Sequence, residues 1–196
     1  MMAAAAKLFI GLTGRMASGK GEAVRILQER GFAYVSLSDI VRREAARDGG
    51  ETVRRKRMQD IGNRLRAEGG AGVLGRLVRE QVTAAGEARW VIDGIRNPAE
   101  VLELRKMAGF YLLGIASDIP TILARMKKRA RATDAVSEAE LRAVLEREWG
   151  GGEPAGGQQV GPTMAMADFT ISNNGTLAGL RAQLEAVLAK IGAGYG

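Results

Sequence analysis

The chain contains no cysteine and no histidine among its 196 residues. The first absence excludes disulfides, thiolate nucleophiles and cysteine zinc sites. The second excludes Ser-His-Asp triads, HExxH zinc sites and imidazole acid–base catalysis. Aromatic residues make up only 5%, which leaves little surface for stacking bases. No apolar run reaches eighteen residues, so no transmembrane helix is expected. Residues 1–6 carry no basic n-region, so a secretory leader is not expected and a cytoplasmic location is. What remains is chemistry run by Lys, Arg, carboxylates, hydroxyls, backbone amides and a hard metal ion. The charge is +7, from 29 Lys and Arg against 22 Asp and Glu, and it points to anionic ligands. Hydrophobic residues at 46% and charged residues at 26% fit an ordinary globular composition, and the length suits one domain over residues 1–196.

Strand-like and helix-like segments alternate. The short apolar runs are residues 7–13, 32–35, 90–92, 110–115 and 168–172. Their brevity suits buried parallel strands. Between them, residues 22–29 read as a helix stopped by Gly31. Ser38 is placed to cap a helix that continues through Ala45 and breaks at Gly49-Gly50. Residues 52–85 read as helical with an interruption at 68–70. Asn97-Pro98-Ala99-Glu100 and Ser137-Glu138-Ala139-Glu140 are capping-box signatures, and Asp118 is placed to cap a helix from Ile119. Residues 150–162 are rich in Gly, Pro and Gln and are expected to be irregular. Leu177, Leu180, Leu184, Val187, Leu188 and Ile191 form a core-facing stripe on a last helix. The alternation predicts an α/β fold with a parallel sheet.

Gly14-Arg15-Met16-Ala17-Ser18-Gly19-Lys20 matches GxxxxGK between a predicted strand and a predicted helix. Glycines let backbone amides approach phosphate oxygens, and the following helix turns its positive end to the same anion. Lys20 adds a point charge for the terminal phosphates. The Ser or Thr that usually follows the lysine and binds Mg2+ is here Gly21, then Glu22. Glu22 either reaches the metal through water or faces solvent. Trp90-Val91-Ile92-Asp93 is an apolar strand delivering an acid to its C-terminal end, as a Walker B site requires.

The Gly-Lys-Gly ending of the loop resembles adenylate kinase and related nucleoside monophosphate kinases, although those carry a threonine where Glu22 stands. Ser38-Asp39-Ile40-Val41-Arg42 resembles their Gly-Asp-x-x-Arg segment. Asp93-Gly94-Ile95-Arg96 is one residue shorter than their Asp-Gly-x-x-Arg pattern and resembles a separate P-loop kinase-like subgroup. Arg125, Arg129 and Arg131, followed by Asp134, resemble their lid. Ala167-Asp168-Phe169-Thr170-Ile171-Ser172-Asn173-Asn174-Gly175 and the opening Ile10-Gly11-Leu12-Thr13-Gly14 resemble dephospho-coenzyme A kinases, whose Pro-Leu-Leu-Phe-Glu type segment this chain lacks. The resemblance implies a three-layer fold whose five-stranded sheet has the order 2-3-1-4-5. It also implies a helical acceptor region at about 38–86 and a lid at about 125–150. It implies ATP and Mg2+ as cofactors. Residues 14–22 would hold the nucleotide, and Asp93 would hold the metal through water, with Glu22 as a second candidate. Arg42 and Arg96 would grip the acceptor, and Arg125, Arg129 and Arg131 would shield the transferring phosphoryl group. Asn173 would lie beside the base, unless the Asn-Asn-Gly turn serves only its left-handed geometry.

Phosphoryl transfer needs alignment and charge neutralisation. A phosphate acceptor needs arginines, whereas a hydroxyl acceptor also needs a carboxylate to take its proton. Arg42 and Arg96 favour the first, and so a nucleoside monophosphate-like acceptor. Asp39 keeps the second open, as in dephospho-coenzyme A kinase. The basic stretch Arg54 to Arg66 offers a nucleic-acid partner as the less favoured alternative, because no aromatic lies within it. A non-catalytic ATP-binding protein is the third reading.

Overall fold

The computed structural model describes residues 7–47, 55–130, 137–154 and 156–192. Five strands, β1 (Leu8–Thr13), β2 (Ala33–Ser36), β3 (Arg89–Asp93), β4 (Phe110–Ala116) and β5 (Phe169–Ser172), form one sheet. Its order is β2-β3-β1-β4-β5 and every pairing is parallel, the order implied by the resemblance. The helices are α1 (Lys20–Glu29), α2 (Leu37–Arg47), α3 (Arg55–Gly69), α4 (Val73–Ala85), α5 (Pro98–Leu104), α6 (Ile119–Ala130), α7 (Glu138–Trp149), α8 (Val160–Ala165) and α9 (Leu177–Gly192).

Strand residues alternate between two cores, because successive side chains leave opposite faces of a sheet. Phe9, Trp90, Ile92 and Leu112 pack with Val41, Ile61, Leu74, Val78 and Leu104 from α2 to α5 on one face. Ile10, Val91, Leu113 and Ile171 pack with Ile26, Leu27, Leu184 and Ile191 from α1 and α9 on the other. The result is three layers, helix on sheet on helix. A smaller cluster joins Ala17 of the loop after β1 to Ile122, Leu123 and Met126 of α6 and Leu141 and Leu145 of α7. The expected lid helices are thereby seated on the glycine-rich loop.

Both capping boxes form. Asn97 and Glu100 satisfy each other's backbone amides at the start of α5, and Ser137 and Glu140 do so at α7. The Asp118 carboxylate accepts from the Thr121 amide at 2.7 Å, and Gly70, at φ 88°, separates α3 from α4.

Four local expectations are corrected. The first helix starts at Lys20 instead of Glu22, because Gly19, left-handed at φ 106°, turns straight into it. Ser38 lies inside α2; the hydroxyl of Ser36 accepts from the Ser38 amide at 3.1 Å, so β2 passes into α2 without a loop. Within the expected irregular stretch, α8 begins at Val160, which is fully buried. Its first turn is tied where the Gln159 carbonyl accepts from the Thr163 amide and hydroxyl. Leu177 faces solvent while the rest of its stripe turns inward. No helix among the described residues is long and apolar enough to cross a membrane.

Candidate functional site

In a parallel sheet of this kind ligands bind beyond the carboxyl ends of the strands. There β1 ends in the Gly14–Gly19 loop, β3 ends at Asp93, and β5 leads to Asn173. Gly14 (φ 138°) and Gly19 (φ 106°) hold conformations that side chains resist. A Cβ at Gly14 would strike the Ile115 carbonyl, and one at Gly19 the Asn173 amide. Ala17 also has positive φ, 57°, a conformation its seat between α6 and α7 maintains. The loop is thus a closely supported cradle. Gly19→Ala is expected to weaken binding of an ATP analogue by roughly 5- to 150-fold, from about 1–3 kcal/mol of backbone strain. Titration calorimetry against wild type measures it, and equal affinity would contradict the cradle's shape.

Lys20 folds back over the loop, its ammonium donating to the carbonyls of Gly14 (2.6 Å) and Arg15 (2.9 Å). Arg125 donates to the carbonyls of Ala17 and Ser18 at 3.3 Å each, to Ser117 Oγ at 3.1 Å and to the Asn173 carbonyl at 2.8 Å. The Asn173 side chain, itself buried, donates to the Ser18 carbonyl at 2.8 Å. Arg125 and Asn173 therefore brace the loop. Arg129 lies on α6, but its side chain, like Arg131 and Asp134 entirely, is outside the described residues.

The other side of the loop is held by the last turn of α7. The Arg15 guanidinium stacks 4.0 Å above the Trp149 ring, an arrangement favoured by the ring's negative face, and donates to the Leu145 carbonyl at 3.3 Å. Burial pushes the Arg15 pKa down, and the charges of Glu146 and Glu148 oppose that shift. The amide of Met16 donates to Glu148 Oε2 at 2.7 Å. Glu148 is only 1% exposed. Its Oε1 has no hydrogen-bond partner, and neither has Arg96 Nε, 3.9 Å away.

Asp93 Oδ1, Thr13 Oγ1 and Ser18 Oγ are likewise buried without partners. Buried polar atoms are nearly always paired, and these three are hard oxygen donors of the kind Mg2+ accepts while keeping several waters. They fit a metal that arrives with a triphosphate. Among the described residues no group of three or more Asp or Glu could hold an ion alone. Glu22 is half exposed and pairs with Arg25 at 3.1 Å.

A cavity of about 290 Å³ adjoins Met16, lined by Ser38, Val41, Arg42, Arg66, Leu74 and Arg96 among others. The sequence-derived acceptor residues Arg42 and Arg96 meet on its wall. Arg42 also pairs with Asp39 on the surface of α2. Arg66, which sequence reasoning left in the general basic stretch, is buried. Its Nε and Nη2 donate to Glu100 Oε1 at 3.0 and 2.7 Å. Glu100 Oε2 accepts from the amides of Arg96 (2.8 Å) and Asn97 (3.1 Å). Glu148 was also missed. Its only sequence signal is an acid in the last turn of a helix whose capping box is legible.

Residues 13–142 match the AAA_17 family, an AAA domain. A UPF0200 protein of Methanoculleus marisnigri is 34% identical over 184 residues, covering 93% of this chain and 96% of the relative. Among solved structures, shikimate kinase from Acinetobacter baumannii in complex with shikimate aligns with a TM-score of 0.57 at 17% identity, over 97% of this chain and 96% of that one. Dephospho-CoA kinase from Campylobacter jejuni aligns with a TM-score of 0.50 at 14% identity, over 94% and 93%.

Proposed function

The chain belongs to the UPF0200 family, carries an AAA-type P-loop domain on a P-loop kinase-like fold, and from that premise we propose that it is an ATP-dependent phosphotransferase acting on a small anionic acceptor. The observation that carries this reading is the cavity beside the phosphate loop, walled by Arg42, Arg66 and Arg96. Its volume, about 290 Å³, lies at the lower end for ligand pockets, roughly 300 Å³. Guanidinium groups suit a phosphate or carboxylate better than ammonium groups do, because they bind two oxygens at once.

In this mechanism the loop amides and Lys20 hold the β- and γ-phosphates of ATP. Thr13, Ser18 and Asp93 provide oxygens toward Mg2+, which when bound neutralises charge on the phosphates. Arg42, Arg66 and Arg96 hold the acceptor, and Arg125, seated at the loop, supplies positive charge beside the transferring group. The attacking atom is a phosphate oxygen, as in a nucleoside monophosphate, or a hydroxyl, as in dephospho-coenzyme A.

A nucleic-acid partner is disfavoured by the same geometry. Of the basic stretch, the two arginines with described side chains face acids: Arg64 lies 3.7 Å from Glu44 and Arg66 2.7 Å from Glu100. The test is ATP consumption with Mg2+ over a panel of ribo- and deoxynucleoside monophosphates, dephospho-coenzyme A, a short DNA and no acceptor. Turnover with a small acceptor is the expected result. Stimulation by DNA alone would replace this reading, and ATP binding without turnover on any acceptor would leave the non-catalytic one.

A further inference from the structure

Glu148 is a buried carboxylate with one oxygen hydrogen-bonded and one that lacks a hydrogen bond. Oε2 is fixed by the Met16 amide in the phosphate loop, 2.7 Å away. Oε1 faces Arg96 Nε across 3.9 Å, and neither atom has a hydrogen-bond partner. The two meet only as a long ion pair, and buried charged groups that lack a hydrogen bond are costly to leave so. Met16 and Arg96 both line the acceptor cavity. The gap therefore lies where the phosphate loop and the acceptor pocket meet, which is where a phosphoryl group would change hands.

The two atoms have opposite demands. Oε1 accepts only, and Arg96 Nε donates only. A group that satisfies both must donate one hydrogen bond and accept another. A hydroxyl does so, whereas a phosphate dianion only accepts and would be repelled by the carboxylate. The Arg96 side chain is 29% exposed on the cavity wall, so a rotation of that side chain opens the gap to a ligand. The alternative carboxylate, Asp39, is already paired with Arg42 and is 40% exposed on α2.

We propose that Glu148 is the proton acceptor for an attacking hydroxyl, and that the acceptor is accordingly a small alcohol bearing a carboxylate or phosphate group. This rests on the phosphotransferase reading above. The hydroxyl oxygen forms the new bond to the γ-phosphorus as its proton passes to Glu148 Oε1. The bond from the γ-phosphorus to the bridging oxygen breaks, and ADP leaves with that electron pair. The carboxyl then returns the proton to solvent. Arg96 orients the hydroxyl, and Arg42 and Arg66 hold the anionic tail. The charged groups facing Glu148 are Arg15 of the phosphate loop and Arg96 after β3; Glu146 on the same helix acts on Arg15.

The test compares wild type with Glu148→Gln, which keeps a carbonyl for the Met16 amide. The acceptors are glycerate, shikimate, dephospho-coenzyme A, AMP and CMP, with water as background. Affinity for a non-hydrolysable ATP analogue and the melting temperature are measured alongside. The expected result is turnover with an alcohol, reduced roughly 10²–10⁴-fold in Glu148→Gln with unchanged analogue affinity. The acid limb of the wild-type kcat/KM profile should also be lost. Arg96→Lys, which keeps the carboxylate, should retain that limb while KM for the acceptor rises. Wild-type rates in Glu148→Gln, an acid limb that persists in it, or turnover confined to monophosphates would overturn the proposal. So would silence toward every alcohol and water with the analogue bound. Failure of wild type to bind the analogue would instead bring down the underlying reading.

Discussion

Lys20→Ala is expected to lower turnover by roughly 10³-fold, the upper range for removing one preorganised donor from a developing charge, while leaving the fold intact. The ammonium lies on the carbonyls of Gly14 and Arg15. It is held at the mouth of the loop, ready to exchange those oxygens for phosphate ones. The loop's shape does not depend on it alone. Arg125 and Asn173 fix the Ser18 carbonyl from one side, and Glu148 and the Arg15–Trp149 stack fix the first half from the other. The melting temperature should therefore stay close to wild type while ATP-analogue affinity and turnover both fall. Thermal unfolding, calorimetry and the acceptor assay separate the three. Unchanged turnover in this variant would remove the phosphate loop from the chemistry.

The elements that were legible share one property: local sequence dictates them. The five strands are short apolar runs bounded by glycines or caps, and the boxes at Asn97 and Ser137 are four-residue signals with reciprocal bonds. The glycine-rich loop is readable because Gly14 and Gly19 are required by backbone geometry at those positions. The strand order came from resemblance, since spacing alone does not order parallel strands. Contacts between distant segments left no trace. Arg66 and Glu100 are 34 residues apart, and Met16 and Glu148 are 132 apart. As letters, Arg66 is one of several basic residues and Glu148 one acid on an amphipathic helix. Burial makes them consequential, and it is a property of the closed fold. Asn173 shows the converse: its place beside the loop follows from the sheet order, but its amide turns to the Ser18 carbonyl.

Arg66→Met is expected to destabilise the protein by about 3–5 kcal/mol, because it leaves a fully buried carboxylate without its counter-charge. The side chains of Arg66 and Glu100 are 4% and 0% exposed, so neither water nor salt can compensate. For a chain of this length each kcal/mol moves the melting temperature by roughly 2–4 °C, giving a fall of about 6–20 °C. The double variant Arg66→Met with Glu100→Gln removes both charges. The glutamine still presents one carbonyl oxygen to the amides of Arg96 and Asn97, which Glu100 Oε2 now serves. It should therefore be more stable than Arg66→Met alone, with a coupling energy of about 2 kcal/mol in a double-mutant cycle. Strict additivity would mean that the pair contributes no mutual stabilisation. The cycle also links stability to the site. Glu100 fixes the amide of Arg96, and Arg66 lines the same cavity, so one buried ion pair sets the position of two arginines facing the acceptor. Arg66→Met should accordingly raise KM for the acceptor while ATP-analogue affinity holds, since the described hydrogen bonds of the pair run between Arg66 and Glu100 and to the amides of Arg96 and Asn97, not to the phosphate loop. A matching loss of ATP affinity would show that the pair supports the fold as a whole and not the acceptor side in particular.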